Sequence, residues 1–337
     1  MKIAVYAICK NELPRIERWL ESASEADVVC VLDTGSTDGT YEKLKRYEDG
    51  GYACGRKILR VAQDDKIVPF RFDAARNESL SMVPEDADVC VCLDIDEWIP
   101  PGWRAALEAA WVPGCAEARY PFVWAFDAAG NPSGVMYGWK IHRRRGVRWV
   151  HACHEVLEYD GDKQTCRVPI RMEHHPGDKA PRDYLPGLEL AVELEPECAR
   201  NWYYLGREQY YRARWADADA SLQRYLEMQS GFAQERSSAM IMLAGCTENS
   251  ELWLLRATVE APWRREAWLG LAELYNREKR YPEAERMARH CLDELVTRDG
   301  AFTESADDWH GRPWRALAEA LDGQGKAEWA ANCRKNT

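Results

Sequence analysis

The 337-residue sequence contains no run of about 18 apolar residues, so no segment reads as a membrane-spanning helix. It has no excess of positive charge: 56 Asp and Glu outweigh 45 Lys and Arg, for a net charge of −11. That balance argues against a general nucleic-acid coat and against docking on an anionic membrane. There is no CxxC pair. The 12 cysteines are scattered through predicted strands and helices, and the closest two, Cys90 and Cys92, alternate with valines in one apolar run. They read as reduced thiols of a cytoplasmic protein, and zinc binding by cysteine is not expected. The opening stretch, MKIAVYAICKNE, has too short an apolar run for a signal peptide and meets charge at Lys10. What is present is a globular composition, 46% hydrophobic and 30% charged, in a chain long enough for two domains.

The N-terminal half alternates apolar runs with helix-like stretches. Lys2–Cys9 reads as a strand, followed by a helix pattern over Leu13–Ser22 with Pro14 in its first turn, where proline is tolerated. Asp27–Asp33 is a second buried strand. The loop Thr34–Thr40 leads into a helix pattern over Tyr41–Tyr47, with Ser36 or Thr37 as its expected cap. A third strand is expected near Lys57–Val61, a helix over Phe72–Val83, a fourth strand over Ala87–Asp94 and a helix over Trp103–Trp111. These units imply an α/β fold, a mostly parallel sheet with helices on both faces. Ligands of such sheets sit outside the carboxyl ends of the strands, where Asp33 and Asp94 both fall.

The fourth strand poses a question of charge. The run VCVCL ends in Asp94-Ile95-Asp96-Glu97, and clustered carboxylates repel unless something positive joins them. A divalent cation, Mn²⁺ or Mg²⁺, takes oxygen ligands and accepts phosphates in the rest of its shell. Asp94 and Asp96, two apart on extended chain, are expected to point the same way. One would meet the metal, and the other the metal or a ribose hydroxyl. An acidic helix N-terminus is the competing reading, because Pro100 and Pro101 introduce the next helix.

KNE after the first strand, LDTGSTDGT after the second, FDAARNESL before the fourth and CLDIDEW at its end occur in this order. Together they resemble the inverting GT-A glycosyltransferases of family two, over about residues 1–176. The resemblance implies a nucleotide-sugar donor, a UDP-sugar foremost, lying across the strand ends. It puts Asp33 near the nucleobase beside the Lys10-Asn11-Glu12 turn, Arg76 against the base or pyrophosphate, and Asp94 and Asp96 as the donor- and metal-binding pair. VHACHEVLE resembles the His-Glu signature of the subgroup whose second domain is helical. His175-Pro176-Gly177 resembles that subgroup's later histidine-x-glycine element. His175 is therefore expected to complete the metal shell, with His154 as competitor. The acceptor needs a carboxylate base, Glu155 first and Glu97 second. Each has a purely structural alternative: Asp33 as a turn former, Arg76 as the partner of an acid such as Glu78, His154-Glu155 as a bonded pair. A zinc hydrolase built on His151, His154, Glu155, His174 and His175 is not expected, because Glu158 stands where the HExxH spacing needs its second histidine.

From Ala118 the chain reads as antiparallel strands around an Asn131-Pro132-Ser133-Gly134 turn. Trp124, Tyr137, Trp139 and Trp149 suit either a sugar-handling face or a packed core. The basic segment KIHRRRGVRW is expected beside the active site, with Arg143, Arg144, Arg145 and Trp149 meeting the acceptor, and a polyanionic acceptor is one reading of it. From about Tyr184 the pattern is helical and repetitive. Trp202, Leu205, Ala218 and Pro196 recur 66 residues on as Trp268, Leu271, Ala284 and Pro262, a third copy holds Trp314, Leu317 and Ala330, and a degenerate one lies around Ser237–Thr258. This resembles the tetratricopeptide repeat. The expected division is a GT-A domain over 1–180 and an all-α repeat domain over 181–337, whose concave face serves acceptor binding or homo-oligomer formation, or is only a cap. The expected function is metal-dependent sugar transfer from a nucleoside-diphosphate donor to an acceptor such as a peptide, a glycan or modified DNA. A non-catalytic scaffold that binds a partner protein is the alternative.

Overall fold

The computed structural model describes residues 1–50, 58–64, 70–127, 129–177, 183–292 and 311–336. The chain divides into two compact units, Met1–Asp183 and Tyr184–Thr337, so the expected boundary at 180/181 itself lies outside the described residues.

The first unit is a mixed sheet with helices. Its strands are β1 (Ile3–Cys9), β2 (Val28–Asp33), β3 (Ile58–Gln63), β4 (Val89–Cys92), β5 (Glu97–Trp98), β6 (Cys115–Phe126), β7 (Pro132–Arg143), β8 (Val147–Val150), β9 (Val156–Tyr159), β10 (Gln164–Arg167) and β11 (Met172–His174). The main sheet runs β3-β2-β1-β4-β7-β6-β11-β5, with β10 also on β6; β8 and β9 form a separate hairpin. Strands β3, β2, β1 and β4 are mutually parallel, whereas β7 is antiparallel to both β4 and β6. The parallel half is buried on both faces, which is why its strands read as continuous apolar runs. Ile3, Val5 and Ala7 pack with Ile16, Trp19 and Leu20, while Ala4 and Tyr6 pack with Leu80, Val83 and Trp149. The covering helices are α1 (Ile16–Ser22), α2 (Thr40–Asp49), α3 (Phe72–Ser81) and α4 (Trp103–Ala110). Ser36 and Thr37 do not cap α2: Gly39 precedes it at φ 92°, and the Asp38 carboxylate accepts the Thr40 amide at 2.9 Å.

One expectation about cysteine is corrected here. Cys115 and Cys166 form a disulfide that ties β6 to β10, so the chain is not a set of reduced thiols throughout; nine other cysteines are free among the described residues. These two pair because the parallel β6–β10 ladder brings together positions 51 apart in sequence, a proximity that spacing alone does not reveal.

The second unit is a run of helical hairpins: α5 (Leu185–Leu194), then α6 (Ala199–Tyr211) with α7 (Trp215–Glu227), α8 (Ala233–Cys246) with α9 (Ser250–Glu260), α10 (Arg265–Arg277) with α11 (Tyr281–Cys291), and α12 (Gly311–Gly323) with α13 (Ala327–Cys333). The 66-residue repeat is structural. Trp202 donates to the Pro196 carbonyl at 2.8 Å and Trp268 to the Pro262 carbonyl at 2.9 Å. Ala218, Ala284 and Ala330 are fully buried where the helices of a pair cross. The degenerate copy is the α8–α9 hairpin.

Candidate active site at the strand ends

The carboxyl ends of β1 and β2 are knitted into one rim. Asn11, at φ 57°, gives its amide to the Ser36 hydroxyl at 2.8 Å and takes the Thr37 amide on its side-chain oxygen at 2.8 Å. Asp33 is fully buried, and its Oδ1 accepts the Gly35 and Ser36 amides at 3.0 and 2.8 Å and the Gln63 amide at 3.2 Å. Asp33 thus shapes the loop of the rim from inside. Glu12 is buried against Arg15 at 3.0 Å, and Lys10 is exposed.

The acidic end of β4 is a tight turn. The Glu97 amide donates to the Asp94 carbonyl at 2.9 Å, and the Glu97 carboxylate returns to accept the Asp94 amide at 2.9 Å. The backbone is folded here, so Asp94 and Asp96 do not share a direction, contrary to expectation. Asp94 faces two cations: Arg76 at 2.8 Å from α3 and Lys140 at 2.8 Å from β7. Lys140 continues to Glu97 at 2.5 Å, and Arg76 to Glu155 at 2.5 Å. Five charges therefore alternate in a line, Glu97, Lys140, Asp94, Arg76 and Glu155, and the positive groups that the carboxylates require are side chains of the chain itself. Burial alone raises the Asp94 carboxyl, but Arg76 and Lys140 outweigh it and hold it well below the usual carboxylate range. At Glu97 burial wins over Lys140 and pushes the carboxyl up.

Glu155 ends the loop His151–Glu155 that joins β8 to β9. The loop is bent by positive φ at His151 (74°) and His154 (54°) and pinned where the Ala152 carbonyl accepts the Phe72 amide at 2.9 Å. Non-glycine residues rarely hold this conformation, and such strain concentrates at functional sites. Asn77 brackets the backbone of Trp149 with two hydrogen bonds, at 2.8 and 2.9 Å. The Trp149 indole donates to Tyr6 at 2.7 Å and lies under the Arg76 guanidinium, 5.0 Å from the ring centroid. Glu155 spends one oxygen on Arg76, and its Oε2 has no hydrogen bond among the described residues. Both Glu155 and Glu97 line a cavity of about 510 Å³, but both Glu97 oxygens are already engaged.

On the other side of the turn, Asp96 meets β11. The ladder between β5 and β11 sets His174 opposite Glu97, and His174 Nε2 lies 3.6 Å from an Asp96 oxygen, which raises the imidazole's pKa. The His175 ring has other partners: it stacks on Phe126 at 5.0 Å and its Nε2 meets Glu173 at 3.1 Å. The His174 imidazole is thus the ring nearest the Asp96 carboxylate, while His175 meets Asp96 through its backbone amide, which donates to the Asp96 carbonyl at 2.7 Å, and lines a small pocket with it. With Asp94 held by two cations, the oxygen and nitrogen donors that suit a divalent ion are Asp96 and His174, a pair that leaves room for phosphate oxygens in the shell.

The basic segment is the other correction. The ladder between β4 and β7 pairs Arg143 with Val89, the first residue of β4, at the opposite end from Asp94. Arg143 donates to the Asp160 carbonyl at 2.5 Å, Arg144 to the Val83 carbonyl at 3.0 Å, and Arg145 to the Glu85 carbonyl at 3.2 Å. These arginines fasten the opposite end of the strands and do not border the strand-end site. Lys140, three residues earlier, does. Sequence reading placed Lys140 beside the site only as one member of the basic segment, and it passed over Glu117, because β7 and β6 reach the site by pairing, which no local motif announces.

Residues 4–114 match the sequence model of the family described as Glycosyl transferase family 2. No curated protein matches the chain. Among solved structures, similarity is found to a crystal structure of MamA, 16% identical over 45% of this chain and 82% of that one with TM-score 0.35. Yeast Tom70 is 16% identical over 47% of this chain and 34% of that one, TM-score 0.33. YrrB, titled a TPR protein with an unusual peptide-binding site, is 17% identical over 45% of this chain and 81% of that one, TM-score 0.29.

Proposed function

With residues 4–114 carrying a Glycosyl transferase family 2 domain, we propose that the chain is an inverting, metal-dependent glycosyltransferase using a nucleoside-diphosphate sugar, a UDP-sugar foremost. The single observation that carries this reading is the alternating line of charges at the end of β4. It sets a carboxylate with an open oxygen, Glu155, next to the edge where the donor's diphosphate would lie. Asp96 and His174 would hold a divalent ion, which would supply Lewis-acid neutralisation of the departing diphosphate.

The chain's own residues do the rest. The acceptor hydroxyl loses its proton to Glu155 Oε2 as its oxygen bonds to the anomeric carbon. On the opposite face the bond from that carbon to the diphosphate breaks, and the electron pair leaves with the diphosphate. Attack and departure on opposite faces invert the centre. Arg76 holds Glu155 in place through their ion pair and, with Lys140, brings positive charge toward the diphosphate. Asp33 holds the loop beside the nucleobase, with Lys10, Asn11 and Glu12 as the adjoining wall. Glu97 braces the turn and is not the base.

Glu155→Gln tests the assignment. Transfer should fall by about two to four orders of magnitude while donor affinity by calorimetry stays within a few-fold, the pattern of a lost base. Collapse of donor affinity instead would move Glu155 into the donor shell and make Glu97 the base.

A further inference from the structure

The cavity against Glu155 has a composition of its own. One wall is aromatic. Tyr137 and Trp139 of β7 are 46% and 42% exposed, which is unusual for rings of this size beside a buried ion network. Both are held from one side: the Arg119 guanidinium, outside the cavity lining, lies 3.8 Å from the Tyr137 centroid and 5.0 Å from that of Trp139. The lining also has a polar part. Glu117 is buried to 2% exposure and accepts from Lys163 at 2.9 Å and Thr165 at 3.1 Å. The cavity's charges are paired: Lys140 bonds Glu97, Arg76 bonds Glu155, and Lys163 bonds Glu117. Its volume of about 510 Å³ falls within the range of small-molecule sites.

Paired charges leave no net field to attract a polyanion, and the arginines that would have drawn one sit at the far end of the sheet. Flat exposed rings beside carboxylate and ammonium groups suit a ligand with apolar C–H faces and hydroxyl edges. Carboxylates accept from hydroxyls, ammonium groups donate to them, and an aromatic face covers a ring that carries no charge. We propose that this cavity is the acceptor subsite, and that it takes a neutral pyranoside stacked on Trp139 and Tyr137 with its hydroxyls at Glu117 and Lys163. This rests on the transferase reading only in naming the bound sugar an acceptor; the binding itself needs no donor.

Saturation-transfer NMR on the full chain without donor tests it. The probes are the methyl pyranosides of glucose, galactose, mannose and N-acetylglucosamine, with N-acetyltyrosinamide as a peptide-like comparison. At least one pyranoside should receive saturation. Trp139→Ala should weaken its affinity at least tenfold, and Glu117→Gln, which keeps the side chain's shape, should weaken it several-fold. Trp124→Ala should leave it unchanged, since Trp124 is an exposed ring of the same hairpin outside the cavity lining. Circular dichroism that matches wild type qualifies each variant for comparison. The proposal is overturned if no pyranoside binds, if binding survives both cavity variants, or if only N-acetyltyrosinamide binds in a Trp139-dependent way. Donor hydrolysis, measured separately, reports on the transferase reading, so one can fail without the other.

Discussion

His142 sits fully buried on β7 in a chain of hydrogen bonds whose protons are fixed by their partners. Its Nδ1 donates to the Arg143 carbonyl at 2.7 Å, so its Nε2 accepts from Tyr6 at 2.7 Å, and Tyr6 in turn accepts from Trp149. Burial lowers the imidazole from 6.5 to about 4. The unfolded chain therefore binds this proton first as pH falls, and folded-state stability is lost between about pH 6.5 and pH 4. Going from about pH 7 to about pH 5 should cost about 2 kcal/mol at this residue alone, fully regained on return to neutral pH. The check is the pH dependence of the Tm: His142→Asn should be less stable than wild type at neutral pH but should lose less on acidification. Lys140 offers a second test at this scale. Lys140→Met would leave buried Glu97 without its cation next to half-buried Asp94, which keeps Arg76, so stability at neutral pH should fall by about 3 kcal/mol in denaturant titration. The side chains named from sequence were those inside contiguous motifs, such as Arg76, Asp94 and Glu155. Glu117 escaped, and the contacts of Lys140 with Asp94 and of His174 with Asp96 went unread, because each residue is delivered by a strand pairing; the direction of Asp96 escaped because its turn is not extended chain.

Among the elements, the β6–β7 hairpin and the β6–β10 ladder shape the proposed acceptor cavity. The disulfide between Cys115 and Cys166 closes a loop of 51 residues beside Lys163 and Thr165. By loop entropy, Cys115→Ser should lower stability by about 4 kcal/mol, read as the shift in urea midpoint against wild type under non-reducing conditions. The helical hairpins offer a parallel case. Ala284 of α11 is completely buried, and Ala284→Leu should cost about 1–3 kcal/mol by overpacking, visible as an earlier loss of helical circular dichroism. Helices and parallel strands were legible because burial on both faces and a repeated Trp, Leu and Ala spacing leave marks in sequence. The order of β7, β6, β11 and β5 was not, since antiparallel pairing over long separations is set by tertiary packing and not by period. The same blindness put Arg143–Arg145 beside the site, when their register carries them to the other end of β4.

Over the whole molecule, a chain with net charge −11 concentrates Arg76 and Lys140 at one strand end, where Asp94, Glu97 and Glu155 fix their positions. The passage from a sheet with helices to a helical repeat was legible from the change of period near residue 184, while the disulfide shows that composition alone misjudged the thiols. The central claim is that the strand-end site turns over a nucleotide sugar with a metal at Asp96. Its most direct test is release of nucleoside diphosphate from a panel of UDP-, GDP- and TDP-sugars, with and without manganese, by wild type and Asp96→Asn. The account predicts manganese-dependent release from at least one donor, lost in Asp96→Asn with the Tm unchanged. Wild type that neither binds nor hydrolyses any donor would contradict it, as would an Asp96→Asn variant that keeps the full rate at saturating manganese.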